Sequence, residues 1–368
     1  METKGREISS FIESLAPAYL AEDWDNVGLL LGSGNNTVRK VMVCLDITSE
    51  VANEAVNNKV DLIVSHHPLI FKGIKKIQQD DLKGKIIYTL ITNNISVFSA
   101  HTNLDTAEGG VNDMLANSIG LIDVKNLKEH LAEKLFKIVV FIPEESLELV
   151  RNAMTEAGAG WLGNYSDCTF VTKGIGTFKP LAGTNPYIGQ IGSIEQVDEV
   201  RLETIVAQSK LKKVLDAMIK SHPYEEVAYD LYPLEKKGKE YGLGKVGALV
   251  KPMSLSEFIA LVKNNLEVEK IRLIGTTEKE IKKVAVFCGS FDEDYESVLK
   301  SKVDILLTSD IKYHAAVDMR ALGMCVIDAG HFNTEKIMVP NLIKLIQKEF
   351  PQIEVIGSLV EEDPFKIT

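Results

Sequence analysis

The chain has 368 residues, too many for one comfortable core, so two domains are expected. Hydrophobic residues make up 45% and charged residues 25%, the balance of an ordinary globular protein. Lys plus Arg total 41 against 52 Asp plus Glu, and a formal charge of −11 argues against nucleic-acid or anionic-membrane binding, which needs a basic face.

The N-terminal "METKGREISSFIESLAP" is charged and amphipathic, without the apolar core of a signal peptide. No apolar run approaches the length of a membrane span. Cys44, Cys168, Cys288 and Cys325 are scattered with no C-x-x-C pair, which suits a cytoplasmic protein and gives neither a disulfide framework nor a zinc ribbon. Ile8, Phe11, Ile12 and Leu15 recur at helical spacing before Pro17. "WDNVGLLLG" then reads as a turn and short strand. "KVMVCLDI" is a buried strand, "TSEVANEAVNNK" a helix capped by Thr48 or Ser49, and "VDLIVS" the next strand. A helix near 81–92 leads to "ISVFSA". Near-continuous apolar strands separated by helices predict a parallel sheet covered on both faces, hence an α/β fold.

Residues 40–67, "KVMVCLDITSEVANEAVNNKVDLIVSHH", align without a gap on 283–310, "KVAVFCGSFDEDYESVLKSKVDILLTSD". "VFSAHTNLD" (97–105) likewise matches "VIDAGHFNTE" (326–335). The chain therefore reads as a duplicated α/β unit forming one mainly parallel-sheet domain, 1–128 with 242–368. Between the halves, 129–241 follows a β-α-β-β-α-β order, an inserted ferredoxin-like domain.

In open parallel sheets, ligands bind beyond the carboxyl ends of the strands. His66 and His67 end one strand, His101 and Asp105 follow the next, and His331 and Glu335 follow its counterpart in the second half. Adjacent residues on a strand face opposite ways, so His66 and His67 serve one site only where Pro68 turns the chain out of the sheet. The diverging rings then suit one histidine on each of two metals. Asp105 can hold one ion and His331 the other, with Glu335 bridging. Three neutral imidazoles and two carboxylates against two divalent ions leave a positive cluster that favours hydroxide and a small anionic substrate. Nitrogen and oxygen donors without thiolate fit two divalent transition-metal ions, zinc first, with Mn, Fe, Co or Ni as alternatives. Taken singly, a His-His pair reads as structural and H-x-x-x-E as a surface pair; their convergence with Asp105 carries the metal reading. His101 is expected as a group supporting the ligands or as the catalytic base, with a plain core histidine as the alternative. Pro340 raises the expectation of a short or kinked helix after His331. "FKGIKK" (71–76) reads as a solvated loop, "EGGVND" (108–113) as a weak anion site, and His222 as structural, while His130 and His314 carry no signal of their own, although His314 falls near a strand end of the second half.

"WDNVGLLLG", "SHHPLIFKG", "HTNLD" and "GHFNTE" resemble the signatures of the NIF-three-like family, often labelled GTP cyclohydrolase I type 2 homologues. The resemblance covers nearly the whole chain. It implies a dinuclear metal site on His66, His67, Asp105, His331 and Glu335, a PII/CutA-like insertion, and a toroidal homohexamer. The label implies hydrolysis of GTP, although no residue pattern here reads as a guanine pocket. The leading expectation is a dinuclear metal-dependent hydrolase of a nucleotide or other phosphorylated compound. The alternatives are a non-catalytic metal-handling or regulatory protein with a ligand-sensing PII-like module, and an assembly scaffold with a structural metal pair.

Overall fold

The computed structural model describes residues 2–291 and 294–366. Helix α1 (Gly5–Leu15) buries Ile8 and Ile12, as their spacing requires. Strand β1 (Gly28–Leu31) is followed by β2 (Lys40–Cys44), α2 (Ser49–Asn57), β3 (Leu62–Ser65), α3 (Leu82–Thr92) and β4 (Ser96–Ser99). Thr48 caps α2, its hydroxyl accepting from the Val51 N–H at 3.2 Å. Strands β2 to β4 are buried almost residue by residue, because helices cover both faces of a parallel sheet. They lie in the order β1-β4-β3-β2, with β1 antiparallel at the edge. Two short helices, α4 (Thr102–Thr106) and α5 (Val111–Ser118), precede the long strand β5 (Leu121–Ala132).

Next come β6 (Leu135–Pro143), α6 (Leu147–Glu156), β7 (Thr169–Phe178), β8 (Glu195–Ala207), α7 (Gln208–Ser221) and β9 (Tyr229–Leu234). The strands form an antiparallel sheet of order β7-β8-β6-β9. Ile138, Val140, Leu202, Val214 and Met218 pack in its core. These elements lie in a compact unit, Leu131–Glu240; the other unit is Met1–His130 with Tyr241–Thr368.

The second half contains β10 (Glu240–Met253), α8 (Leu255–Asn265), β11 (Arg272–Ile274), β12 (Ile281–Ser290), α9 (Tyr295–Lys300) and β13 (Ile305–Ser309). It ends with α10 (Tyr313–Ala321), β14 (Val326–Asp328), α11 (His331–Glu335), α12 (Met338–Glu349) and β15 (Glu354–Gly357). Parallel β12, β13 and β14, with β11 antiparallel at the edge, repeat the arrangement of β2, β3, β4 and β1. The halves do not share one sheet. Each keeps its own, and they exchange strands instead. β15 pairs parallel with β2 in the first sheet, and β5 lies beside β10 in the second. With the outer edge of β2 taken by β15 and that of β12 by β10, neither sheet offers those edges to the other.

The repeated K-V-D segment has a structural purpose. Asp61 accepts from the N–H groups of Arg39 and Lys40 at 2.7 and 3.0 Å. Asp304 accepts from those of Lys282 and Lys283, both at 2.8 Å. In each half the preceding lysine is left-handed, with φ of 55° at Lys59 and 50° at Lys302, and the valine packs on the core. Pro340 is the third residue of α12, inside its first turn, where no intrahelical hydrogen bond is lost. The chain after His331 is therefore two helices rather than one broken one. Among the described residues no helix is long and apolar enough to cross a membrane.

Candidate metal centre

His66 and His67 leave β3 with their backbone turned. Their successive N–H groups donate to Cys44 and Leu45 on the same side, at 3.1 and 2.9 Å, whereas a regular strand alternates. This rotation brings adjacent rings into one cluster, with centroids 5.1 Å apart and planes tilted by 45°. His101 lies between β4 and α4, at the N-cap of that helix, and His331 and Glu335 occupy α11 after β14. One turn of helix puts the His331 Nε2 2.9 Å from Glu335 Oε2.

The two oxygens of Glu335 address different rings. Oε1 lies 3.8 Å from His66 Nε2, whereas Oε2 lies 3.1 Å from His67 Nε2. Asp105 Oδ1 is 3.5 Å from His66 Nε2 and accepts from the Cys288 thiol at 3.2 Å. All five ligands expected from the sequence are thus brought to one place. His101 joins them: its ring forms one group that could hold a metal ion with His66 and His67, while His67, His331 and Glu335 form another.

The other nitrogen of each ring is already committed. Asp46 takes Nδ1 of His67 at 2.9 Å, Asp310 that of His331 at 2.8 Å, and Asp25 that of His101 at 2.9 Å. The Ala100 carbonyl takes Nδ1 of His66 at 2.8 Å. Such partners fix the tautomer and leave Nε2 as the free donor atom. Sequence reasoning missed all three aspartates. Asp25 lies within "WDNVGLLLG", and its separation of 76 residues from His101 leaves no local pattern; Asp46 and Asp310 are single acids after apolar strands.

Electrostatics show what the cluster demands. Burial opposes charge on His67, yet the hydrogen bonds to Asp46 and Glu335 raise its pKa to about 10. His331 is held up at about 9 against burial by Glu335 and Asp310. Burial pushes Glu335 up, but the charges and hydrogen bonds of His66, His331 and His67 hold it well below the usual carboxylate range. Burial raises Asp105, with the Glu335 charge adding to it against the pull of His66. The carboxylates call for positive charge among the rings. Two buried atoms sharpen this: His66 Nε2 lies 3.5 Å from Asp105 Oδ1, and Glu335 Oε2 lies 3.1 and 2.9 Å from the ring nitrogens of His67 and His331, so each faces into the cluster. Gly289 supplies the remaining room, since a Cβ there would come within 2.1 Å of Glu335 Oε1. This donor set fits a divalent metal ion.

The remaining expectations fall elsewhere. His222 is tied at both nitrogens, to the Phe141 carbonyl at 3.0 Å and the Tyr224 N–H at 3.1 Å, as a structural histidine should be. Residues 71–76 are exposed. Gly110 is explained by packing, because a Cβ would lie 1.8 Å from the Leu104 carbonyl.

A duplicated α/β unit whose strand ends converge on a His and carboxylate cluster defines a class of candidate metalloproteins. The chain belongs to the Duf34/NIF3 (NGG1p interacting factor 3) family, whose model matches residues 3–364. It is 42% identical to a protein of Halalkalibacterium halodurans named GTP cyclohydrolase 1 type 2 homolog, over 98% of both chains. A Bacillus subtilis protein of the same name is 44% identical over 91% of this chain and 89% of its own. Among solved structures, a Bacillus cereus protein related to NIF3 matches all of both chains with a TM-score of 0.91 and 42% identity. A Staphylococcus aureus protein matches with a TM-score of 0.78 and 29% identity, covering 100% of this chain and 99% of that one.

Proposed function

We propose that the cluster holds two divalent transition-metal ions and that the protein is a hydrolase of a small anionic compound of the nucleotide kind. His66, His101, Asp105 and Glu335 Oε1 would hold one ion; His67, His331 and Glu335 Oε2 would hold the other. The observation that carries this reading is the division of the Glu335 carboxylate, with Oε1 toward His66 and Oε2 toward His67 and His331. We read His101 as a ligand in place of the general base expected from the sequence, a reading supported by its grouping with His66 and His67. Bound ions of this kind acidify water and stabilise developing negative charge. The protein's own part is to fix the imidazoles through Asp25, Asp46 and Asp310, and to keep Glu335 ionised. The names of the relatives support a nucleotide as substrate. The decisive experiment is elemental analysis of the native protein combined with a broad hydrolase screen on metal-loaded and chelator-treated samples. Turnover that needs the metal supports the reading; a metal-loaded protein inert on every phosphorylated compound counts against it.

One observation favours metal handling as a second reading. A cavity of about 490 Å³ beside His331 is lined by Glu267, Glu269, Asp310, Asp328 and Asp363 against Lys270 and Arg272. That excess of carboxylates suits passage of cations better than binding of a polyanion. Rapid transfer of metal to a chelating acceptor, without turnover, would favour it.

We also read residues 129–241 as an inserted ferredoxin-like domain of the PII/CutA kind. Its support is the strand order β7-β8-β6-β9 around two helices. A homohexamer in the cytoplasm completes the proposal. The assembly is carried over from the family resemblance, and the compartment is supported by four unpaired cysteines.

A further inference from the structure

The unit Leu131–Glu240 contains a cavity of about 430 Å³, in the size range of small-molecule sites. Four aromatic residues line it: Phe141, Phe178, Tyr187 and Tyr224. Tyr224 pairs with Phe178 at a centroid distance of 6.1 Å and with Tyr187 at 6.2 Å. Both phenol protons are committed, since Tyr224 Oη donates to Glu199 Oε1 and Tyr187 Oη to Glu145 Oε1, each at 3.0 Å. Their hydroxyl oxygens therefore meet a ligand as acceptors, and donation to a carboxylate enriches the rings in electron density. Glu199, Glu225 and Glu226 line the same space against a single lysine, Lys179. The neighbouring His222 adds no charge, because its Nδ1 accepts from the Tyr224 N–H and its Nε2 donates to a carbonyl.

The sequence makes specific room for Glu199. Its Oε2 would lie 2.0 Å from a Cβ at position 176, so only the glycine there lets the carboxylate rest against β7. We propose that this cavity binds a small organic cation, an amine or quaternary ammonium with an apolar arm. The cation would sit against the aromatic faces near Glu199, with its arm along Phe178. An anion would meet three carboxylates. A neutral apolar molecule would desolvate Glu199 without compensation. The site uses no residue of the metal cluster, so its fate is separate from the hydrolase reading.

The test is calorimetric titration of the full-length protein with benzyltrimethylammonium and with the neutral, similarly shaped benzyl alcohol. Saturable binding of the cation at one equivalent per chain is expected, with benzyl alcohol weaker by about tenfold or more. Glu199→Gln should weaken the cation by about tenfold, and Tyr224→Ala should abolish binding, in variants whose thermal unfolding shows them folded. Equal affinity for benzyl alcohol would overturn the proposal even if no variant folds. So would wild-type affinity in Glu199→Gln, or no saturable binding of the cation up to about 10 mM. If the wild-type protein binds no cation and Tyr224→Ala changes its oligomeric state, the cavity wall belongs to an interface between copies, and the proposal falls.

Discussion

The Nε2 atoms of His67 and His331 lie 3.3 Å apart, although the residues come from opposite halves of a duplicated unit. Asp46 and Asp310 hold the other nitrogen of each ring. With both Nδ1 protons donated outward, two lone pairs converge on one point beside the Glu335 carboxylate. Such an arrangement needs positive charge between the rings, which the raised proton affinity of His67 and His331 supplies in the metal-free protein and a bound metal ion would supply in its place.

Asp46→Asn and Asp310→Asn should each weaken metal binding by about 10–100-fold without removing a ligand. An asparagine can present its N–H₂ to the imidazole and favour the wrong tautomer. Competition against a fluorescent chelator measures this directly. Unchanged affinity in both variants would show that these aspartates do not orient the rings.

Gly289→Ala probes the room around Glu335. The residue has φ of 61°, and an added Cβ would press on Glu335 Oε1. Backbone strain alone should cost about 1–3 kcal/mol. A displaced carboxylate should lower metal occupancy as well. Thermal unfolding and metal analysis of the same sample separate the two effects.

Much of this was legible in the sequence because strand ends are read from apolar runs. "VDLIVSHHP" and "VIDAGHFNTE" place their histidines just past buried strands, and the gapless repeat brings the two sets together. The orienting aspartates were not legible, since Asp25 meets His101 only through the folded chain. The strand exchange was hidden for a similar reason. β15 joins β2 across more than 300 residues, and no local periodicity encodes its partner. The duplication itself left a sharper trace in K-V-D than any ligand did, because the clamp is needed in both halves.

Asp61→Ala and Asp304→Ala should each destabilise the fold by about 1–3 kcal/mol, since each leaves two strand-end N–H groups without their carboxylate. Metal content should be unaffected. Denaturant unfolding checks the first statement, and elemental analysis the second.

Glu361 gives the metal-free protein a pH signature. Burial pushes its carboxyl from 4.5 up to about 7, against the N–H groups of Asp46 and Leu45 that it accepts. A raised carboxyl pKa means that the folded state disfavours the ion, so the contribution of Glu361 to stability falls as pH rises from about 4.5 to about 7 and is then level. Glu361→Gln should therefore gain on the order of 1–2 kcal/mol over the native chain above pH 7, allowing for partial exposure, and nothing at pH 4. Unfolding of chelator-treated protein at the two pH values provides the comparison.

The most direct measurement is the metal content of the native protein and of Glu335→Gln, determined side by side by elemental analysis. If Glu335 bridges two ions, the native chain carries close to two transition-metal ions. Glutamine keeps the size of the side chain but loses the anionic bridge, so the variant should fall to one or none, with any hydrolase activity lost. A native protein that holds no metal even after reconstitution, or a variant that retains both ions, would contradict the account.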